Sequence, residues 1–235
     1  MDEQKYNLEE SLAELDKLFY LSTKETDKTA CEALAEKARI IYEQYPESED
    51  IALRYVRALV NLSSKQTKAD EIAETTQKIQ VIYEKFSEPQ DIALYYAMAL
   101  SNLSIKLTKA DETDEIAQEI KEIYKKFKEP QDIALSYARA LASLSAKNTK
   151  VKEIAKIAQK IKEIYKKFKE PQDIALQHTI ALVNLSAEQT KAEEIAEIAQ
   201  EIKEIYKKFN EPQDIALSYA MALVNLSAEQ TKAEE

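Results

Sequence analysis

One tetrapeptide, Asp-Ile-Ala-Leu, recurs along this chain at a constant spacing. Its copies begin at Asp50, Asp91, Asp132, Asp173 and Asp214, so each copy follows the previous one after 41 residues. A longer block, IKEIYKKF, recurs in the same register at residues 120–127, 161–168 and 202–209. A fixed period of this length is typical of solenoids, in which one small structural unit stacks on the next. We therefore predict a single solenoid domain over residues 1–235.

The composition favours helices and argues against sheets. Glycine is absent from the sequence. Because tight hairpin turns and phosphate-binding loops depend on backbone angles that glycine adopts most easily, we expect neither strands nor a nucleotide-binding loop. Alanine, leucine, glutamate and lysine are abundant in the sequence, and all four are strong helix formers.

Each unit contains two helical patterns. In the last unit, apolar residues from Ile195 to Phe209 fall at steps of three and four, which is typical of an amphipathic helix. Thr190 and Glu193 have the spacing of a capping box at the start of that helix. Proline disfavours helical geometry in the residue before it and is accepted as the first residue of a helix. The prolines predicted to separate the two helices of a unit are Pro89, Pro130, Pro171 and Pro212.

These patterns define the organisation of the whole chain. We predict helical hairpins at residues 26–66, 67–107, 108–148, 149–189 and 190–230. Residues 1–25 match the second half of a unit, and we expect them to form an N-terminal capping helix whose polar outer face carries Glu10, Ser11, Glu14 and Lys17. Residues 231–235 repeat the start of a first helix, which we interpret as the beginning of a truncated further helix. The predicted fold class is all-α, a right-handed α–α superhelix in which each hairpin covers its neighbour's apolar face.

The order of features within a unit resembles a tetratricopeptide repeat. A proline, a Tyr-containing helix, a linker, a long helix ending in an aromatic residue and another proline follow one another over residues 10–231. The usual tetratricopeptide unit has about 34 residues with Trp and Gly positions. This chain has longer units and neither residue type, so armadillo-like or HEAT-like geometry is an alternative. The resemblance implies an α-solenoid whose concave face binds a protein or peptide segment.

The Asp-Ile-Ala-Leu helix hardly changes between units except along one stripe. Two of its positions vary strongly in residue type, and a third is Asn in most units. Steps of three and four residues place these positions on one helical face, and Arg, Tyr and Met are favoured at binding surfaces. Two alternatives stay open: the exposed positions drift without selection, or the Asn side chains near the helix end cap the helix or bond the Asn of the next repeat. The candidate partner-binding stripe comprises Arg54, Arg57, Asn61, Tyr95, Met98, Asn102, Ser136, Arg139, Ser143, Gln177, Ile180, Asn184, Ser218, Met221 and Asn225.

The sequence contains no motif that indicates catalysis, a cofactor or a metal site. Glycine-rich loops, HExxH and CxxC are all absent. His178 is the sole histidine and stands where other units have Tyr, so we predict a packing substitution rather than a ligand. Cys31 is the only cysteine and aligns with Ile72, so we expect a buried, inert thiol and no intramolecular disulfide. We predict a protein that is not an enzyme and needs no cofactor.

We therefore predict a binding scaffold for a protein or peptide segment, of unknown specific role. One alternative is a structural array that self-associates end to end or by domain swapping. An uneven charge distribution supports this alternative, because a basic segment of one molecule would attract an acidic segment of another. Residues 149–189 carry eight lysines and five acidic residues, whereas residues 190–235 carry five lysines and ten acidic residues. Another alternative is RNA or DNA binding through residues 149–189, but the net charge of −10 argues against a nucleic-acid partner. A polar, acidic N-terminus and the lack of long apolar runs predict a cytoplasmic location without membrane contact.

Overall fold

The computed structural model describes residues 7–169 and 171–234 of the chain. Over these residues every regular element is an α-helix, which confirms the predicted all-α solenoid class. The helices α1 to α11 are Leu8–Lys24, Lys28–Gln44, Glu49–Lys65, Ala69–Lys85, Gln90–Lys106, Ala110–Lys126, Gln131–Ser145, Val151–Lys167, Gln172–Glu188, Ala192–Lys208 and Gln213–Glu234. The chain divides into two compact units, Met1–Leu107 and Thr108–Glu235, which we call unit 1 and unit 2. Among the described residues, none of the helices has both the length and the apolar character that crossing a bilayer requires.

The 41-residue period corresponds to one helical hairpin. In unit 1, α2 packs on α3 and α4 packs on α5, and in unit 2 the hairpins are α6 with α7, α8 with α9, and α10 with α11. We call the first helix of each hairpin the A helix and the second the B helix. The remaining helix, α1, has the register of a B helix and packs on α2 and α3.

Within each unit, the B helices pack more closely on one another than the A helices do. The B helices and α1, which together we call the B layer, pack directly on one another, in the order α1, α3, α5 in unit 1 and α7, α9, α11 in unit 2. Alanines at these contacts are fully buried, and their small side chains let the helix axes approach closely; they include Ala93, Ala138, Ala140, Ala175 and Ala181. The A helices lie further apart, because cavities of about 290 Å³ and 270 Å³ separate α2 from α4 and α6 from α8.

Aromatic pairs join the A helix to the B helix of each hairpin. Their ring centroids are 5.3 Å apart in Tyr42–Tyr55 and 6.1 Å apart in Tyr124–Tyr137. In the α8–α9 hairpin the pair is Tyr165–His178, with a centroid distance of 6.3 Å. His178 is only 1% exposed, so the predicted packing role of this residue is confirmed.

The A-to-B connection is a tight turn built without glycine. At the end of α4, the Glu88 N–H donates to the Tyr83 carbonyl at 2.8 Å and the Ser87 N–H donates to the Glu84 carbonyl at 3.1 Å, which is a Schellman motif. Ser87 and Glu88 have φ angles of 60° and 59°, in the left-handed region. Pro89 follows as the N-cap of α5 rather than as its first helical residue. The turns after α6, α8 and α10 place Lys128, Glu129, Lys169, Asn210 and Glu211 in the same left-handed region.

Glycine is expected to stabilise these turns, because a side chain in the left-handed region is crowded against the backbone. We predict that Lys128→Gly and Lys169→Gly each raise the free energy of unfolding by roughly 0.5–1 kcal/mol, measured by urea denaturation. Asn210→Gly should gain less, because Asn tolerates this conformation better than Lys. As a control, Lys160→Gly in the middle of α8 should lose about 1 kcal/mol. Equal effects at turn and helix positions would contradict the assigned backbone geometry.

The starts of the A helices correct the capping-box prediction. The helices α4, α6, α8 and α10 follow N-cap lysines whose side chains make no capping hydrogen bond. Thr190 lies one residue before the N-cap Lys191, and this offset removes its hydroxyl from the capping position. The lysine instead donates from Nζ to Glu194 at 2.7 Å. A capping box does form at the start of α1, between Asn7 and Glu10.

Both chain ends differ in detail from the sequence-based expectation. Ser11 is fully buried, so it belongs to the packed side of α1, whereas Glu10 and Lys17 are exposed. Residues 231–234 do not begin a new helix but continue α11, and Thr231 Oγ1 donates to the Ser227 carbonyl at 3.0 Å. The stretch contains no proline or glycine that would break the helix. Glu235 lies outside the described residues.

The thiol of Cys31 is buried, as predicted. Its side chain is 1% exposed and its Sγ atom lies 3.9 Å from the Ser22 carbonyl oxygen. Burial raises the pKa of the Cys31 thiol, which disfavours the reactive thiolate. This cysteine therefore acts as a small apolar core residue of the α1–α2 contact.

Candidate protein-interaction surface

One narrow stripe of α9 stays accessible between its packed neighbours α7 and α11. On α9 the half-exposed central residues are Leu176, Ile180 and Asn184, which follow one another at steps of four. Such spacing aligns side chains on one helical face. The same positions are Leu135, Arg139 and Ser143 on α7 and Leu217, Met221 and Asn225 on α11. We call these nine residues of unit 2 the B-helix face.

The first position of the predicted stripe, which Ser136, Gln177 and Ser218 occupy in unit 2, does not lie on the B-helix face. Ser136, Gln177 and Ser218 are 2%, 9% and 6% exposed. Ser218 faces α9, because the Thr179 hydroxyl donates to Ser218 Oγ at 3.3 Å. A partner on the accessible surface therefore has little of these side chains to contact.

The leucines of the repeated tetrapeptide take the place of that first row. Sequence comparison passed over Leu135, Leu176 and Leu217 because they do not vary between repeats. All three are nevertheless half-exposed or exposed. The available signal was the spacing: each leucine lies four residues before the variable position that holds Arg139, Ile180 or Met221. This spacing places both positions on the same ridge of the helix.

In unit 1 the arginines of the predicted stripe bind the capping helix. Arg54 Nε donates to Asp16 Oδ1 at 2.9 Å. The guanidinium of Arg57 lies over the ring of Phe19, 3.7 Å from its centroid, and 3.9 Å from Asp16. These contacts fasten α1 to α3. Tyr95 and Met98 on α5 are half-exposed, as are the remaining stripe residues Asn61 and Asn102.

Within each unit, asparagines of the stripe bond one helix of the B layer to the one before it, namely α3 to α1, α5 to α3, α9 to α7 and α11 to α9. Asparagine Nδ2 donates to a serine Oγ, at distances of 2.7, 2.9, 2.8 and 2.8 Å in the pairs Asn61–Ser22, Asn102–Ser63, Asn184–Ser145 and Asn225–Ser186. Each buried serine hydroxyl donates in turn to a carbonyl in its own helix, such as Ser145 to Ala142 at 2.7 Å. These residues thus bond a serine of the preceding repeat, which corrects the alternative in which they cap the helix or bond the Asn of the next repeat. A second amide hydrogen of each Asn is chemically available to a partner.

Loss of one such pair is expected to destabilise the solenoid. In Asn184→Ala the oxygen of the buried Ser145 hydroxyl no longer accepts a hydrogen bond from Asn184 Nδ2. We therefore predict a decrease of about 1–2 kcal/mol in the free energy of unfolding. The double variant Asn184→Ala with Ser145→Ala leaves no unpaired hydroxyl. It should therefore lose less than the sum of the two single variants, with a coupling of about 1 kcal/mol. Additive losses in urea denaturation would show that the hydrogen bond is energetically silent.

The surface groups of the described residues give no sign of a metal centre. No cluster of three or more His, Cys, Asp or Glu residues that could hold a metal ion occurs in residues 7–169 and 171–234. No protein-family model, curated protein or solved structure matches this chain, so its classification as a helical-repeat solenoid is based on its own period and helix packing.

Proposed function

We propose that this chain is a non-enzymatic scaffold whose B-helix face binds a protein or peptide segment. The observation that carries the proposal is the composition of that face. A constant row of leucines lies beside a row that changes from Arg139 to Ile180 to Met221. An apolar row supplies contact area common to many partners, and a variable row distinguishes between them.

The packing of the B helices supports this role. In unit 2 they contact one another directly, and Asn–Ser hydrogen bonds join α7 to α9 and α9 to α11. A surface that is ordered before binding loses little conformational entropy when a partner arrives. The tetratricopeptide-like character of the units is part of the proposal and favours the same function. The single buried cysteine fits a reducing compartment such as the cytoplasm.

Selection from a random peptide library tests the proposal. Peptides that bind the full chain should lose about tenfold or more of their affinity for a Leu176→Glu, Ile180→Glu variant, because two charges then occupy the centre of the face. Val81→Glu is the matched control, since Val81 is 56% exposed on the A helix α4. Failure to select any binder, or equal affinity for both variants, would refute the assignment of this face.

Self-association is a second candidate function, favoured by the outer side of α11. Leu223 and Val224 are 42% and 66% exposed, whereas their register equivalents Leu182 and Val183 on α9 are only 5% and 6% exposed. A second copy of the chain could cover this apolar surface. Sedimentation velocity over a concentration series should then show dimers that Val224→Lys abolishes. A sedimentation coefficient independent of concentration would exclude this candidate.

A further inference from the structure

The A helix α8 carries a row of lysines where the neighbouring A helices carry acidic residues. Lys152, Lys156 and Lys160 follow one another at steps of four, and all three side chains are exposed. This spacing places them on one side of the helix, with an axial rise of about 6 Å from each lysine to the next. We call these three residues the α8 basic ridge. Their register equivalents are Asp111, Glu115 and Glu119 on α6 and Glu193, Glu197 and Glu201 on α10.

The charges of the α8 basic ridge are not balanced within the described chain. Over the residues that the structure describes, only Lys156 among the three forms a salt bridge, to Glu153 of the same helix at 2.9 Å. Both side chains of that pair are largely exposed, so the pair contributes little to stability. Glu201 of α10 pairs across the groove with Lys162 at 2.7 Å, and Lys162 is not part of the ridge. Lys152 and Lys160 are therefore left available to an anionic partner.

The first lysine of the ridge lies where a cation is unfavourable. Lys152 is the second residue of α8, which begins at Val151. Because the first turn of a helix carries a partial positive charge, acidic residues stabilise it and lysine does not. Within unit 2, α6 and α10 have two acidic residues each in their first turns, whereas α8 has Glu153 alone. A residue that opposes local stability in this way is typical of a functional surface.

The distribution of charge identifies the kind of partner that fits. The helix α8 carries six lysines and two glutamates, so an anionic partner is attracted to it. A single protein segment is about as wide as one helix, roughly 10–12 Å, and can lie along α8 alone. A DNA duplex is wider and carries one negative charge per about 1.7 Å of its axis, so its phosphates would also approach the acidic rows of α6 and α10. Those rows therefore favour a narrow acidic segment over a nucleic acid.

We propose that the α8 basic ridge binds an acidic segment of a partner protein, in which carboxylates recur about every 6 Å along the segment. Each ridge lysine donates to one carboxylate of the partner. The acidic rows of α6 and α10 restrict the contact to the width of one helix. The ridge belongs to an A helix, so this interaction is separate from the proposed B-helix face and does not depend on it.

A synthetic helical peptide tests the proposal. A labelled alanine-rich peptide with three glutamates at steps of four is followed by fluorescence anisotropy while the full chain is added. The salt concentration is about 0.1 M, where distant charges are screened but direct ion pairs persist. We expect saturable binding that becomes about tenfold weaker or worse in about 1 M salt. The same peptide with glutamine in place of glutamate should not bind.

Three results would overturn the proposal. The first is the absence of saturable binding by the glutamate peptide, and the second is equal binding by the glutamine peptide. The third is tighter binding by a single-stranded RNA of the same charge, which would assign the α8 basic ridge to nucleic acids instead.

Charge reversal in the ridge locates the contact. Lys156→Glu should weaken binding of the glutamate peptide about tenfold or more. Lys207→Glu on α10 is the matched control, because Lys207 is exposed and its reversal changes the net charge by the same amount. The control should bind as the original chain does. Equal losses in the two variants would mean that overall charge determines binding, and the ridge would be refuted.

A second substitution distinguishes binding from stability. Lys152→Glu should weaken peptide binding and yet shift the midpoint of urea denaturation to a higher concentration, because a carboxylate in the first turn of α8 complements the helix dipole. A lysine with a purely structural role would not give this pair of opposite effects. Unchanged binding, or weaker binding together with a lower midpoint, would contradict the proposal.

Discussion

Truncation of Ile161 to Ala is expected to lower the free energy of unfolding by about 2–5 kcal/mol, because it removes buried carbon atoms and leaves a cavity. Ile161 lies in the middle of α8 and is 0% exposed. Its register equivalents Ile79, Ile120 and Ile202 are also 0% exposed. We therefore expect the same truncation at each of these positions to have a similar cost.

Urea denaturation followed by helical circular dichroism measures this effect. The matched control is Ile40→Ala on α2, where the side chain is 47% exposed. The control should change the free energy of unfolding by about 0.5 kcal/mol or less. If Ile161→Ala were no more harmful than Ile40→Ala, the assigned buried face of the A helices would be wrong.

The second large effect concerns stability in acid. Burial lowers the pKa of His178 from 6.5 to about 4, with Lys162 and Lys166 acting in the same direction and Glu201 opposing them. The unfolded chain therefore accepts a proton that the folded chain excludes. Stability from this residue is complete above pH 6.5, decreases as the pH falls below that value, and is lost below about pH 4. At about 1.4 kcal/mol per pH unit, the shift from 6.5 to about 4 corresponds to a total loss of about 3.5 kcal/mol.

The variant His178→Tyr should lack this component of acid sensitivity, because a phenol does not accept a proton in that range. It also restores the residue found in other repeats, such as the Tyr124–Tyr137 pair with centroids 6.1 Å apart. Unfolding free energies of both proteins are measured by urea denaturation from neutral pH down to about pH 4. Carboxylates other than Glu201 are far from the substitution and contribute in the same way to both proteins, so the difference between the two curves reports on His178 together with Glu201, which lies 3.6 Å from its Nε2 atom. Parallel curves would mean that His178 accepts its proton equally well in the folded state.

The candidate surface was only partly predictable from sequence. Arg139, Ile180 and Asn184 were identified and do lie on the accessible stripe, whereas Gln177 is buried and Leu176 was missed. Steps of three and of four define two adjacent ridges on a helix. Which ridge remains accessible depends on the direction from which the neighbouring B helices pack, and this information is not local in the sequence.

Contacts between residues far apart in the sequence were not predictable either. Arg57 looked like a binding residue because arginine is common at interfaces, but it contacts Phe19 and Asp16 of the capping helix. Nothing in the sequence around Arg57 indicates these partners, since both lie in α1, one repeat earlier in the chain. Only packing of α1 on α3 brings them together.

The segment ALVNLSAEQTKAEE occurs twice, at residues 181–194 and 222–235. It therefore separates what the sequence determines from what the tertiary structure decides. In the first copy α9 ends at Glu188, Gln189 is extended, and α10 begins at Ala192. In the second copy the helix continues through Glu234. The sequence by itself determined the period, the helical class and the apolar faces, because helix propensity and periodic burial act over short distances. The position of this break was decided by tertiary structure. No proline or glycine enforces it, and in the first copy the packing of α10 against α9 and α11 favours a turn over a longer helix.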